Sequence, residues 1–203
     1  MDVAELAPGL WRWTTAHPDW TPELGGPEGW EQEVGSVYCE TGGDVVLIDP
    51  LVPADEPEAE RFWRALDRDV GRAAAAHVVL TCEWHARSSA DLVVRYGVGV
   101  WSPADGPASL PTGVEAVDAA LEDEVLVWLP SHGALVAGDT LLGDGAGGVR
   151  MCPDSWLGDR NPADVRAELR DRLAGRRIEL VLPAHGDAVT AGATEALARA
   201  VAA

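Results

Sequence analysis

Stretches with the two-residue period of a β-strand, or with no polar residue at all, recur along the whole chain. Residues 3–15 predict two strands joined by a turn at Pro8-Gly9, and residues 36–40 and 45–48 predict a hairpin. The second arm of that hairpin is apolar without interruption, so we expect it to be buried on both faces. Further strands are predicted at residues 77–81, 98–101, 114–119, 124–129, 134–137 and 178–182.

Segments with a helical period lie between these strands. In residues 57–70 apolar side chains recur every four residues on one face, and residues 90–96 predict a second helix. A third helix begins at Asn161-Pro162, an N-cap followed by proline, and an alanine-rich helix follows the last strand. Because helix and strand alternate between residues 45 and 101, we expect parallel βαβ units.

The length and the apolar content are those of one folded unit. The chain has 203 residues, of which 47% are hydrophobic, so we predict a single domain over residues 1–203 with its own core. Residues 16–35 are rich in Pro, Gly, Glu and Trp and show no period, which predicts a long N-terminal loop.

The charge and the residue usage exclude several functions. A formal net charge of −19 repels phosphate backbones and anionic lipids, so neither nucleic acid nor a membrane is expected as a partner. Every basic side chain is arginine, which excludes a lysine Schiff base.

The three cysteines show no C-x-x-C spacing and are expected to be reduced thiols of a cytoplasmic protein. Neither a signal peptide nor a stretch of membrane-spanning length is apparent.

Side chains capable of chemistry follow three of the predicted strands. Cys82, Glu83 and His85 form a polar loop after one of them, Asp139 follows another in Gly-Asp-Thr-Leu, and His185 follows the last in Leu-Pro-Ala-His-Gly. Carboxylate and imidazole groups at neighbouring strand ends are natural ligands for zinc, iron or manganese. Taken alone, each also fits a structural role, Asp139 as a turn residue and His185 as a loop histidine.

The order of these motifs resembles that of the metallo-β-lactamase-fold superfamily over almost the whole chain. Leu-Ile-Asp-Pro, Val-Val-Leu-Thr with its polar loop, Gly-Asp-Thr-Leu and Leu-Pro-Ala-His-Gly follow one another in the same order. The resemblance implies an α/β fold, an αββα metallo-β-lactamase-like sandwich, with metal ligands at one edge of its sheets. It also implies that Asp139 corresponds to the family's aspartate that bridges two metals, and that His185 corresponds to the histidine that binds one of them.

The family's main signature, Thr-His-x-His-x-Asp-His, is missing. With Thr81 as the anchor, Cys82 and Trp84 occupy the first two histidine positions, Ala86 occupies the aspartate position, and Arg87 occupies the last histidine position. A complete two-metal site is therefore not expected.

Two other histidines are candidates to replace the missing ligands. His85 lies between the signature positions, and His132 lies closer to Gly-Asp-Thr than the family's histidine does. One hypothesis is a single metal ion, zinc or alternatively iron or manganese, held by His85, Asp139 and His185 with Cys82 or His132 as a fourth ligand. The alternative without a metal stays open, with Cys82 as a small buried apolar side chain and His85 in a structural role.

These ligands lead to three functional hypotheses. The first is a divergent, hydrolase-like member of the superfamily with a degraded or remodelled metal site. The second is a working single-metal hydrolase of a small ester, thioester or amide, in which Glu83 or His85 replaces the missing general base. The third is a metal-free small-molecule-binding or scaffold protein, in which Arg87, His85 and His185 form a partly cationic pocket. Whether the chain is an enzyme stays open.

Tryptophan is over-represented, with nine residues against one Phe and two Tyr. One hypothesis is an aromatic pocket for a small-molecule ligand or substrate, lined by His17, Trp20, Trp84 and Arg87. The alternative is that the tryptophans close one end of the sandwich and anchor the N-terminal loop. A homodimer stays open as a further partner.

Overall fold

The computed structural model of the chain describes residues 1–202 and contains two β-sheets that face each other. The first sheet has six strands in chain order, β1 (Asp2–Ala7), β2 (Leu10–Ala16), β3 (Glu33–Thr41), β4 (Asp44–Ile48), β5 (Ala76–Val79) and β6 (Gly99–Trp101). The second sheet has four strands, β7 (Glu115–Asp118), β8 (Val125–Leu129), β9 (Ala134–Ala137) and β12 (Leu180–Pro183), in the spatial order β12-β9-β8-β7. A separate hairpin consists of β10 (Leu141–Gly143) and β11 (Val149–Met151).

Two helices cover the outer face of each sheet. Side chains of α1 (Glu56–Val70) and α2 (Ser89–Tyr96) share an apolar cluster with the first sheet. Those of α3 (Pro162–Leu173) and α4 (Ala193–Ala200) share another with the second sheet. The predicted αββα sandwich is therefore confirmed. Within residues 1–202, no helix combines the length and the apolarity needed to cross a lipid bilayer.

The strands in the middle of the sandwich are apolar on both faces because both faces are covered. In β8, Val127 and Leu129 belong to the core between the two sheets, whereas Leu126 and Trp128 pack toward α3 and α4. Each fully buried leucine of this kind stabilises the fold by about 2 kcal/mol relative to an exposed one. The same double burial holds for β4, as its uninterrupted apolar run predicts.

The ends of the helices follow the capping residues seen in the sequence. The Asn161 side chain accepts a hydrogen bond from the main-chain N–H of Ala163 at the start of α3. Gly97 ends α2 with φ of 66°, a left-handed conformation that glycine adopts without strain. The long loop ends earlier than predicted, because β3 already begins at Glu33.

The direction of the strands decides where polar residues can meet. β4, β5 and β6 are parallel to one another, which confirms the predicted βαβ units, and β9 and β12 are also parallel. The carboxyl ends of parallel strands lie at the same edge of a sheet. The loops that follow β4 and β5 therefore emerge together, as do the loops that follow β9 and β12.

Candidate metal centre

Four strand ends bring acidic and imidazole side chains together at one edge of the sandwich. Asp49 directly follows β4, and the loop after β5 carries His85. From the second sheet, Asp139 follows β9 and His185 follows β12. The structure thus joins His85, Asp139 and His185, three of the predicted ligands, in one cluster.

His85 lies between two carboxylates. Its Nδ1 is 2.9 Å from Oδ2 of Asp49, and its Nε2 is 3.4 Å from Oδ1 of Asp139. Thr81 fixes Asp49, because its main-chain N–H donates to Oδ1 and its hydroxyl donates to Oδ2. His85 is only 5% exposed, so this position is set by contacts rather than by solvent. A histidine whose Nδ1 is held by a carboxylate keeps Nε2 for a metal ion.

Asp139 has one oxygen with a hydrogen-bond partner and one without. Nε1 of Trp84 donates to Oδ2 at 2.7 Å. Oδ1 lies 3.1 Å from Nε2 of His185, but within residues 1–202 neither histidine reaches this buried oxygen with hydrogen-bond geometry. The two imidazoles balance the charge of this oxygen without a hydrogen bond to it, and a cation would supply the direct contact that it lacks.

Cys82 completes a set of possible ligand atoms. Atoms of Cys82, His85 and Asp139 lie within 4.8 Å of one another. Thiolate, imidazole and carboxylate are ligands that zinc accepts. The side chains present therefore fit a metal ion, with Cys82, His85 and Asp139 as ligands and His185 adjacent.

The charges of the cluster are strongly coupled. Burial works to lower the pKa of His85, but the charges of Asp49 and Asp139 outweigh it, and the pKa lies well above its usual value. Burial works to raise the pKa of Asp139, but His185 and His85 outweigh it and lower this pKa. Burial raises the pKa of the Cys82 thiol to about 11. Without a metal, the centre thus contains an imidazolium between two carboxylates, next to a neutral thiol.

The segment that carries His185 is fixed from the first sheet. The Arg12 guanidinium donates to the carbonyl oxygens of Pro183, at 3.0 Å, and of Gly186, at 2.7 Å. The main-chain N–H of Gly35 donates to Ala184 O at 2.7 Å. A side chain at position 35 would collide with Arg12, so this glycine permits the close approach.

Arg87 does not lie between Asp139 and His185. Its guanidinium donates to the main-chain carbonyls of Gly35 and Asp49, both at 2.8 Å. A φ of 40° at Arg87 directs the chain there. Glu83 is exposed on the 3₁₀ turn Glu83–His85, one residue before Trp84.

Aromatic rings continue the cluster toward the N-terminal loop. The ring of Trp30 is centred 5.1 Å from that of His185, and His17 meets Trp30 edge-on at 5.3 Å. Nε1 of Trp20 donates to the main-chain oxygen of Trp30, so Trp20 anchors the loop. Trp84, whose Nε1 donates to Asp139, is 53% exposed, which leaves part of its ring free to contact a ligand.

His132 lies at the other end of the second sheet. It precedes β9, whereas Asp139 follows that strand. Its Nε2 is 3.2 Å from Pro8 O, and its Nδ1 is 3.7 Å from Sγ of Cys39. The prediction of His132 as a fourth ligand is wrong, because the short β8–β9 turn places it away from the strand ends that carry the other ligands.

No protein-family model matches the sequence, and no curated protein matches it. The chain does match solved structures. The chain is similar to a metallo-β-lactamase from Erythrobacter litoralis with β-mercaptoethanol in the active site, with a TM-score of 0.66 and 15% identity over 98% of this chain and 93% of that one. It is also similar to the metallo-β-lactamase FIM-1 from Pseudomonas aeruginosa in its mono-zinc form, with a TM-score of 0.65 and 15% identity over 98% of this chain and 94% of that one. For the DIM-1 metallo-β-lactamase exposed to ceftazidime, the TM-score is 0.65 and the identity is 11%, over 98% and 95% of the two chains.

The chain has the metallo-β-lactamase fold. This confirms the resemblance that the order of the motifs indicates. These three structures share at most 15% of their residues with the chain. At this identity the similarity shows the fold, and the metal ligands have to be identified from the side chains of this chain.

Two residues of the centre, Asp49 and Glu124, have no role in the sequence prediction. Asp49 belongs to Leu-Ile-Asp-Pro, a landmark of the metallo-β-lactamase fold, and its position directly after a buried strand could have identified it. Glu124 lies within an acidic run, yet it is 4% exposed and accepts a hydrogen bond from the main-chain N–H of Thr140 at 3.0 Å. Burial raises the pKa of Glu124 to about 8, so a largely protonated acid supports the Asp139 turn at neutral pH.

Proposed function

We propose that this chain binds one divalent metal ion through Cys82, His85 and Asp139, and that it hydrolyses a small ester, thioester or amide. The observation that carries this proposal is the position of His85, whose Nδ1 faces Asp49 while its Nε2 faces Asp139. A carboxylate behind a ligating histidine is the usual support of a metal site. Three protein ligands with a free position are typical of catalytic rather than structural zinc.

The metal, when bound, would polarise a carbonyl group and favour the ionisation of water. The residues of the chain supply the remaining steps. Burial lowers the pKa of His185, so its imidazole is neutral near pH 7 and can accept the proton that the attacking water loses. The water oxygen bonds to the carbonyl carbon, the bond to the leaving group breaks, and the proton passes from His185 to the leaving atom.

The aromatic rings around the centre favour a small substrate with an apolar part. Trp30 lies against His185, and Trp84 presents a half-exposed ring on the side of Asp139. These two rings place apolar surface beside His185 and beside Asp139, which favours contact with a short acyl or aryl group. The net charge of −19 disfavours polyanionic substrates.

The test distinguishes the three metal ligands from His185, which acts on the proton. Elemental analysis of tag-free protein, incubated with zinc, iron or manganese and desalted, should find about one equivalent of metal in the wild type. Cys82→Ser and Asp139→Ala should lose it, whereas His185→Ala should retain metal and lose hydrolysis of a p-nitrophenyl ester. His132→Ala is the matched control and should behave like the wild type, because His132 lies at the far end of the sheet.

Either of two results would reject this function. One is a wild-type protein that retains no metal from any of the three ions. The other is metal that persists in both Cys82→Ser and Asp139→Ala.

A further inference from the structure

A cavity of about 630 Å³ lies between α1 and the outer face of the first sheet. Its lining comes from β1 to β4 and α1 and includes none of the metal-centre side chains. The volume is within the range of small-molecule sites, roughly 300–1,000 Å³. This cavity is therefore a second place at which a ligand can be held.

Aromatic side chains form the floor of the cavity. Trp11 on β2 and Phe62 on α1 are partly exposed there, whereas Trp13 and Tyr38 belong to the buried cluster and are 4% and 8% exposed. The rings of Trp13 and Phe62 are centred 5.4 Å apart and inclined by 51°. The exposed Ala65 also lines the cavity, and its small side chain leaves room where a larger residue would close it. Such a floor favours a flat aromatic body, which gains from offset or edge contacts.

Three arginines of α1 line the mouth of this cavity: Arg61, Arg64 and Arg68. Their spacing of three and four residues places them on one side of the helix. Arg68 is paired with Asp69 at 3.0 Å. In the part of the chain that the structure describes, no ion pair within 4.0 Å involves Arg61 or Arg64. Two exposed arginines without a carboxylate partner are notable in a chain with 34 acidic and 15 basic residues.

The acidic groups of the lining lie at one end. Glu40 accepts the hydroxyl of Tyr38 at 2.9 Å, and the charge of Asp69 also acts on Tyr38. Arg61 lies eight residues before Asp69, about two helical turns or 12 Å away. An anion held by Arg61 and Arg64 would therefore avoid the acidic end.

We propose that this cavity binds a small aromatic carboxylate, with its rings against Trp11 and Phe62 and its carboxylate on Arg61 and Arg64. Guanidinium and carboxylate match in a two-hydrogen-bond geometry, which makes this pair stronger and more directional than a lysine contact. The proposal does not depend on a metal ion, because the two sites share no side chain.

The test uses isothermal titration calorimetry with 2-naphthoate as the probe and 2-naphthylmethylammonium as its cationic counterpart. The wild type should bind naphthoate and should bind the cation at least tenfold more weakly. The double variant Arg61→Gln/Arg64→Gln should weaken naphthoate binding at least tenfold. Ala65→Trp, a substitution at an exposed position, should abolish it by filling the cavity.

The control variant Arg170→Gln/Arg177→Gln removes the same charge from two exposed arginines elsewhere on the surface. It should bind naphthoate like the wild type, and circular dichroism and thermal melts should show that every variant is folded. The proposal is overturned if naphthoate does not bind at millimolar concentration, if the cation binds as tightly, or if folded Ala65→Trp binds normally.

Discussion

His85 illustrates how a single contact can decide what a side chain offers. A neutral imidazole has one N–H and one lone pair, and the hydrogen bond at one nitrogen selects which atom carries which. Asp49 accepts at Nδ1, so Nε2 is the atom presented to Asp139. Two donors from Thr81 hold Asp49 in turn, which makes the direction of the lone pair a property of the fold.

Replacing Asp49 by Asn should weaken metal binding about 10- to 100-fold, because the amide no longer provides a charged acceptor for Nδ1. The measurement is competition for zinc against a chromophoric chelator. Asp44→Asn is the matched control, since Asp44 is also a carboxylate beside a histidine, 3.4 Å from Nε2 of His77, but on the far end of β4. Equal zinc affinity in Asp49→Asn and Asp44→Asn would contradict the proposed role.

The residues of the centre differ in how visible they are in the sequence. Asp139 and His185 follow apolar strands beside glycines, so their positions can be predicted from strand patterns alone. The direction of the Arg87 side chain cannot be predicted from the sequence. It depends on a φ of 40° and on two carbonyl oxygens contributed by other strands. The burial of Glu124 cannot be predicted either, since it depends on how β8 packs against the Asp139 turn.

At the scale of elements, α1 and α2 are tied together on the surface of the first sheet. Asp67 on α1 accepts two hydrogen bonds from the Arg95 guanidinium, at 2.8 and 2.6 Å, and a third from the Tyr96 hydroxyl. These hydrogen bonds lower the pKa of Asp67 to about 2. Arg95 also lies over the ring of Trp63, 4.8 Å from its centre, so the pair is oriented by an aromatic face.

Asp67→Asn should lower the melting temperature slightly at neutral pH, since exposed pairs contribute about 1 kcal/mol or less. The difference from the wild type should depend on pH in one direction. Because the pKa of Asp67 is lower in the folded state, its contribution is complete above the unfolded pKa of about 3.9 and is lost as the pH falls toward 2.

Thermal melts of both proteins at pH 7, 5, 4 and 3 would check this dependence. A difference that grows on acidification would contradict it. Asp164→Asn, at an exposed position on α3, serves as the control for removing one negative charge.

Most elements of the fold are encoded locally, and the exceptions are short. The uninterrupted apolar runs of β4 and β8, and the caps at Asn161 and Gly97, predict elements that the structure confirms. The strands β10 and β11 escape prediction because each has three residues and borders the glycine-rich segment 143–148, which shows no period. Their pairing depends instead on a turn in which Asp144 accepts hydrogen bonds from the main chain of Ala146 and Gly148.

At the scale of the whole molecule, Arg12 connects the two sheets. It extends from β2 in the first sheet to the carbonyl oxygens on either side of His185, which follows β12 in the second. Arg12 is only 9% exposed, so these carbonyls have little water to replace it. The geometry of the metal centre therefore depends on a contact that crosses between the sheets.

Arg12→Leu should lower the free energy of unfolding by about 3 kcal/mol, because buried acceptors lose a charged donor. It should also reduce hydrolysis of a p-nitrophenyl ester by the metal-loaded protein, since the segment carrying His185 is no longer held. Denaturant unfolding and the ester assay measure the two effects. Arg150→Leu, which removes an exposed arginine from β11, should change neither. Loss of stability without any change in ester hydrolysis would show that Arg12 supports the fold alone.

The order of the strands has one more consequence. Every strand of the first sheet lies before residue 102 and every strand of the second after residue 114, so the chain passes from one sheet to the other in a single crossing. Cys82 and His85 come from before this crossing, Asp139 and His185 from after it. A cut within residues 102–114 would thus divide the protein into two complementary fragments, each carrying half of the metal centre, and their reassembly could be read out by zinc uptake.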